Sequence, residues 1–405
     1  MTNDAMTAAP AGTAAPERMP WLSLFLLTAM GFVLVTMETM PAGLLSAIAS
    51  GLSTSESTIG LMISAYALGT IVVTVPAITL TRGFRRKPLL LTAITVLALG
   101  NTLTALSGVV ALSLASRLLA GAASGVVWGM FAAYARKISP PSRAGLSLAV
   151  VSVGAPLGFA LGTPLGSALG TAFGWRWSFG GLSAIGVIVL VLIVVVVPDV
   201  EGRSAASRLP VRRVISKPGV AVVLAVIAAW MLGHNTIYTY IEPYLRVAGN
   251  GIGVDVLLLL YGIASVVGVA ITGAVIDRHP RTLLHASVLV FIAAAVTLLA
   301  VHASAPAVVV AAVLWGLGFG GASTQLQTAL TVAGGDDADV ASAFLPVAFN
   351  VAIFAAGVVG ALLLTAFDGL VLPATMTVLG VVAFVLTLVG RRTAFPARWP
   401  ASDDA

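Results

Sequence analysis

Twelve apolar runs, each long enough to cross a bilayer, decide what this chain can fold into. They fall roughly at 21–45, 57–80, 88–107, 109–134, 144–169, 177–197, 219–241, 256–276, 283–302, 307–332, 341–366 and 371–390. A helix rises about 1.5 Å per residue and a hydrocarbon core is about 30 Å thick, so about 20 residues suffice for one crossing. Only 9% of the 405 residues are charged, against about 25% in a soluble domain. So few charges cannot coat a water-soluble surface. The chain therefore reads as an all-α membrane protein of twelve transmembrane helices.

Charge placement orients those helices. Eighteen of the 21 Lys and Arg residues fall on the side that carries both termini. Arg176 and Arg246 fall on the other side, and Arg117 lies inside a span. Basic residues are retained in cytoplasmic loops, so both termini are expected in the cytoplasm, with the protein in a bacterial inner membrane. Asp336, Asp337 and Asp339 sit between helices 10 and 11 without a basic residue. Acidic residues weigh little in orientation, so the reading stands. The net charge of +6 is spread over short clusters between apolar runs, a loop pattern and not a nucleic-acid surface. Cys is absent, which excludes disulfides and thiolate metal sites.

The expected organisation is a tail (1–20), a six-helix half (21–197), a basic linker (198–218), a second half (219–392) and a tail (393–405). The first tail is rich in Ala, Thr and Pro and lacks the basic start of a signal peptide. A weak repeat supports the two halves. Ala77, Thr81, Arg82 and Arg85 follow helix 2, and Gly273, Asp277, Arg278 and Arg281 follow helix 8, each pair 196 residues apart.

These features resemble the major facilitator superfamily, in its twelve-span drug/proton antiporter-like branch. The loop after helix 2 is similar to that family's Gly-x-x-x-Asp-Arg-x-Gly-Arg-Arg signature, with Ala77, Thr81 and Phe84 as departures. Arg117, Gly121 and Gly125 resemble its helix 4 motif. Gly154, Pro156, Gly158, Gly162, Pro164 and Gly166 resemble the Gly/Pro-rich helix 5 motif of exporters. Three further stretches are similar to sugar (arabinose) efflux transporters: Glu38 to Leu45, His234 to Tyr244, and Asp339 to Asn350. Chloramphenicol exporters share the helix 1 pattern. The resemblance implies two six-helix halves that rock about a midplane cavity, exporting a small molecule against a proton gradient. Sugars are the first expected substrate, and antibiotics such as chloramphenicol the alternative. No cofactor beyond the proton gradient is expected, and the working unit is expected to be a monomer. A sensor without transport is disfavoured, because the longest loop is too short for an input domain.

Glu38 is the one acidic residue well inside a span. A carboxylate there is costly to insert, and a carboxyl that takes up and releases protons is what coupling requires. The competing reading is a helix-end carboxylate that reaches outer water. Arg117 lies at similar depth, about 12 Å in. It is expected to hold charge beside Glu38, or else to bind backbone carbonyls. His234, Tyr238 and Glu242 recur at i, i+4 and i+8, roughly one helix face. With Asn235, Trp128, Gln325 and Asn350 they are the candidate substrate contacts, set against an interfacial aromatic belt and ordinary packing; Pro243 ends the helix just beyond, so the competing place for Glu242 is the outer membrane surface. Arg82, Arg85, Asp277 and Arg278, with Gly158, Gly162 and Pro164, are the expected conformational elements. Among the glycines, close helix approach is the simpler role. There is no phosphate-binding loop and no metalloprotease His/Glu pair, which argues against ATP-driven transport and against an enzyme.

Overall fold

A computed structural model describes residues 18–81, 83–201 and 211–398. Its membrane helices are α1 Trp21–Gly51, α2 Glu56–Thr74, α3 Arg86–Leu106, α4 Val110–Lys137, α5 Pro141–Phe173 and α6 Trp175–Val196. The second set is α7 Pro218–Thr239, α8 Val254–Val275, α9 Pro280–Ala300, α10 Ala305–Asp337, α11 Val340–Ala366 and α12 Val371–Arg392. All twelve predicted runs are helices. Several continue beyond the apolar stretch at the terminal face. There α4 ends on Arg136 and Lys137, cations that suit a helix C-terminus. Arg82, Arg203 and Arg208 lie outside the described residues.

The packing repeats. In the first half α2 packs on α4, α3 on α4 and α6, and α1 on α5 and α6. In the second half α8 packs on α10, α9 on α10 and α12, and α7 on α11 and α12. Adding six to each member of the first set gives the second. The halves meet through α2 with α11 and through α5 with α8, two contacts that exchange under the same operation.

Local geometry follows the 196-residue offset closely. The first helix of each half breaks at equivalent residues, Leu44 (φ −134°, ψ 19°) and Tyr240 (φ −113°, ψ 33°). In α1 the cause is visible. Pro41 has no N–H, and the chain passes through a tighter turn over Met40–Leu44 before resuming at Leu45. On the terminal face Arg85 pairs with Asp199 at 2.5 Å, just past α6. Its equivalent Arg281 donates to the carbonyl of Phe395, just past α12, at 2.7 Å. Each arginine thus ties the start of the third helix of a half to the end of that half.

The glycines of α5 explain its fit to α1. Gly154, Gly158, Gly162, Gly166 and Gly170 recur every four residues, on one face. A methyl at Gly154 would lie 2.2 Å from the carbonyl oxygen of Thr28, and one at Gly162 would lie 1.8 Å from Thr36 Oγ1. The two backbones can approach this closely only without side chains. Pro164 is buried in the same stretch of α5.

Inter-half hydrogen bonds gather at the face away from the termini. The Ser46 amide donates to Glu242 Oε2 at 2.8 Å. Arg246 donates to Ser46 Oγ at 2.8 Å and pairs with Glu56. Tyr240 reaches the Ser57 carbonyl at 3.3 Å, and Ser64 the Phe354 carbonyl at 3.0 Å. The halves are sealed together on that face.

Candidate functional site

The break in α1 prepares the centre of the first half. In an unbroken helix the amide of residue 41 would donate to the carbonyl of Met37. Pro41 cannot. Arg117 of α4 takes its place, with Nη2 donating to the Met37 carbonyl at 2.6 Å and the Glu38 carbonyl at 3.2 Å. The guanidinium is fully buried and lies 4.6 Å from the centroid of Tyr66 in α2. Phe179 of α6 lies on another side, at 5.9 Å. An aromatic face stabilises a cation where water is absent. Gly121, one turn after Arg117, lets α2 and α4 close up: a methyl there would sit 1.9 Å from the Tyr66 carbonyl oxygen.

Glu38 and Arg117 are therefore neighbours, through the main chain of α1. Among the described residues their side chains form no ion pair, and Glu38 Oε1 is buried without a hydrogen-bond partner. A buried carboxyl oxygen with no protein donor on it can take a proton or a ligand's donor.

The equivalent position in the second half is His234, 196 residues on. Its ring is enclosed by Phe319 (centroids 3.6 Å apart, 11° between planes), Tyr238 (5.4 Å), Tyr261 (5.7 Å) and Trp315 (5.4 Å). Trp315 Nε1 donates to His234 Nδ1 at 3.0 Å. His234 Nε2 and Tyr238 Oη are buried without partners. Tyr238 reaches across to the first half, edge-on to Phe159 at 5.9 Å. The two centres are built from corresponding helices: α1, α2 and α4 in one half, α7, α8 and α10 in the other.

The remaining predicted contacts separate. The face expected to join His234, Tyr238 and Glu242 ends at Tyr240, where α7 breaks. Glu242 sits instead on the short helix Ile241–Ala248, in the seal with Ser46. Asn235 donates to its own helix, at the Met231 carbonyl, 2.8 Å away. Asn350 does the same toward Pro346, at 2.9 Å. Gln325 binds Thr272 at 3.2 Å and Ser287 at 3.0 Å, tying α10 to α8 and α9. Trp128 packs edge-on against Phe131 of its own helix at 5.4 Å. Asp277 and Arg278 are exposed at the terminal end of α8.

Five aromatic residues of the centres, Tyr66, Phe179, Tyr261, Trp315 and Phe319, were not marked by the sequence. Rings inside apolar runs carry no mark of the direction they face. The repeat offers the missing signal: shifted by 196, Tyr66 and Arg117 fall within two residues of Tyr261 and Trp315.

Comparisons agree with this architecture. The family model described as Major Facilitator Superfamily matches residues 27–345. A chloramphenicol efflux pump of Mycobacterium tuberculosis (strain CDC 1551 / Oshkosh) is 31% identical over 401 residues, covering 94% of this chain and 96% of that one. A second, of strain ATCC 25618 / H37Rv, is 31% identical over 396 residues with the same coverage. Among solved structures, a bacterial homologue of the human lysosomal transporter Spinster, in an inward-facing and occupied conformation, superposes with a TM-score of 0.72. It is 16% identical and covers 96% of this chain and 100% of that chain. Its inward-facing, unoccupied form gives 0.70 at 14% identity, with the same coverage. The chain is a multi-pass membrane transporter and belongs to the major facilitator superfamily.

Proposed function

We propose that the chain exports small, uncharged, ring-bearing amphiphiles of the chloramphenicol type, driven by protons exchanged at Glu38. The substrate class rests on the wall around His234. That wall is four aromatic rings, and it leaves two unpartnered polar atoms, His234 Nε2 and Tyr238 Oη. A sugar carries a hydroxyl on nearly every carbon, and each buried hydroxyl needs a partner. A ring-rich, donor-poor wall suits an aromatic amphiphile better. The near-full-length mycobacterial pumps support the same ranking, so sugars move to second place.

The Lys and Arg bias supports cytoplasmic termini. With the halves sealed at the opposite face, this is then the state that loads from the cytoplasm. Substrate enters between the halves and meets the His234 wall. A proton arriving from the other side at Glu38 exchanges with it as the halves rock. Arg117 holds positive charge against the α1 break and makes the charged and neutral forms of Glu38 differ in their effect on that break. Gly158 and Gly162 form the smooth contact along which α5 moves on α1, and Pro164, buried in the same stretch, is the point where α5 bends. Arg85, Asp277 and Arg278 act at the terminal face. One chain suffices for the cycle.

The test is accumulation of radiolabelled chloramphenicol and arabinose in cells overexpressing the protein, with and without an uncoupler. Lower chloramphenicol accumulation that the uncoupler restores is the expected result. Unchanged chloramphenicol accumulation sinks the proposal, and lowered arabinose alone reinstates the sugar reading.

A further inference from the structure

Building on that export reading, we infer that His234 selects substrates by donating its Nε2–H to a hydrogen-bond acceptor on an uncharged aromatic compound, and that Trp315 fixes the proton on that nitrogen. An indole N–H donates and never accepts. Since Trp315 Nε1 points at His234 Nδ1 at 3.0 Å, Nδ1 is the acceptor. The ring proton of neutral imidazole must then reside on Nε2. That atom is buried and has no partner among the described residues. An unmatched buried donor is costly, and this one is fixed in direction by Trp315 in an aromatic wall at the boundary between the halves, so an acceptor on the substrate is the partner we assign to it.

Competing roles fit less well. His234 stands at the repeat position of Glu38, which invites a second proton-carrying site. A doubly protonated ring, however, leaves Trp315 with no acceptor, and a buried indole N–H would be orphaned. The groups around the ring are Tyr238 on its own helix, Tyr261 on α8, and Trp315 and Phe319 on α10. None is a carboxylate, so nothing in the wall balances an imidazolium. Tyr238 Oη lies in the same wall, beside the Thr39–Thr163 pair of the other half. A compound bound at Nε2 is thus placed near the boundary between the halves, where rocking acts on it.

The experiment uses the full chain in nanodiscs with ¹⁵N-labelled histidine and chloramphenicol as the probe. His234 is one of 4 histidines, and its signals are identified by their loss in His234→Gln. Free protein is expected to show Nε2 protonated and Nδ1 bare. Saturating chloramphenicol is expected to move the Nε2–H proton downfield and leave Nδ1 in place. In equilibrium binding, His234→Phe is expected to weaken chloramphenicol by about tenfold, while His234→Gln, which keeps an N–H at similar reach, stays within about threefold. A proton found on Nδ1, or an Nε2–H signal unmoved at saturation, overturns the inference and leaves the export reading intact. The wild-type NMR result decides the case even where His234→Phe folds poorly. Failure of the wild type to bind chloramphenicol at all removes the export reading, and this inference with it.

Discussion

Arg117 donates to the carbonyl of Met37, the one that Pro41 leaves without a helical partner. A buried cation from another helix thereby stands in for a missing main-chain donor. Pro41→Ala restores that donor. Residue 41 then bonds to Met37, α1 closes, and Arg117 loses its shorter hydrogen bond. The expected outcome has opposite signs for stability and function. The melting temperature of purified protein rises by about 2–4 °C, while chloramphenicol efflux falls by about tenfold. Unchanged efflux with raised stability would show that the break is dispensable. Arg117→Lys probes the same contact from the other side: the charge stays, but the planar fork is lost. Efflux should fall to the level of Arg117→Met.

Glu38→Gln keeps the size of the side chain and removes its titration. With no ion pair to break and one oxygen already unpartnered, the fold has little to lose. Chloramphenicol affinity is expected to stay within about threefold of wild type, and the protein to reach the membrane normally. Uncoupler-sensitive efflux should vanish. Retention of gradient-driven efflux in the variant would rule out Glu38 as the coupling group.

What the sequence disclosed, and what it hid, has a physical logic. The spans were legible because a bilayer demands about 20 apolar residues per crossing whatever the tertiary structure. Glu38, Arg117 and His234 were legible because polar groups are rare at that depth. Tyr66, Tyr261, Trp315 and Phe319 were not, since a ring facing lipid and a ring facing the centre look alike in a uniformly apolar helix. The place of Glu242 was legible only in part. Helical spacing put it with His234, while Pro243 just beyond pointed to a helix end at the outer surface, and the break at Tyr240 decides for the second. Pro41, in the equivalent stretch of α1, likewise hinted that these helices do not run straight.

The seal opposite the termini depends partly on Arg246 with Glu56. Arg246 is largely exposed, so the pair contributes about 0.2–1 kcal/mol. Its loss should shift the sealed state by up to about fivefold, since 1.4 kcal/mol is tenfold in an equilibrium constant. The absence of cysteine makes this measurable. A Cβ at Gly357 would lie 3.3 Å from Ser64 Cβ, close to the ~3.5–4.5 Å of a disulfide. Oxidant should cross-link a Ser64→Cys/Gly357→Cys pair readily, and the added Arg246→Ala change should slow cross-linking. Equal rates would exclude the pair from the seal.

Asp199 provides a pH test on the terminal face. Burial pushes its carboxyl up, but the Lys87 amide and the Arg85 guanidinium outweigh that and hold it below the ordinary carboxylate range. A lowered native value means the pair stabilises the fold above the unfolded-state range, about 3.9, and is lost as pH falls through the native value. Between pH 5 and 8 its contribution is therefore flat. Asp199→Asn should cost about 0.2–1 kcal/mol throughout that window, since Arg85 is mostly exposed. A cost that varied across the window would assign the effect to another group.

Gly121 and Gly186 separate close backbone approach from mere smallness. At Gly121 an added methyl meets the Tyr66 carbonyl at 1.9 Å, and main chain cannot swing aside. At Gly186 the nearest atom is the flexible tip of Met37, 3.6 Å away, an ordinary contact. Gly121→Ala must force α2 and α4 apart, an overpacking cost of about 1–3 kcal/mol. Because Tyr66 lies over Arg117, the same displacement reaches the first-half centre. Lower thermal stability and lower efflux are expected together at Gly121. Gly186→Ala should leave both unchanged, and could stabilise slightly, since alanine restricts the unfolded chain more than glycine. Equal behaviour of the two variants in a thermal melt would mean that α2 and α4 are not held together by this contact.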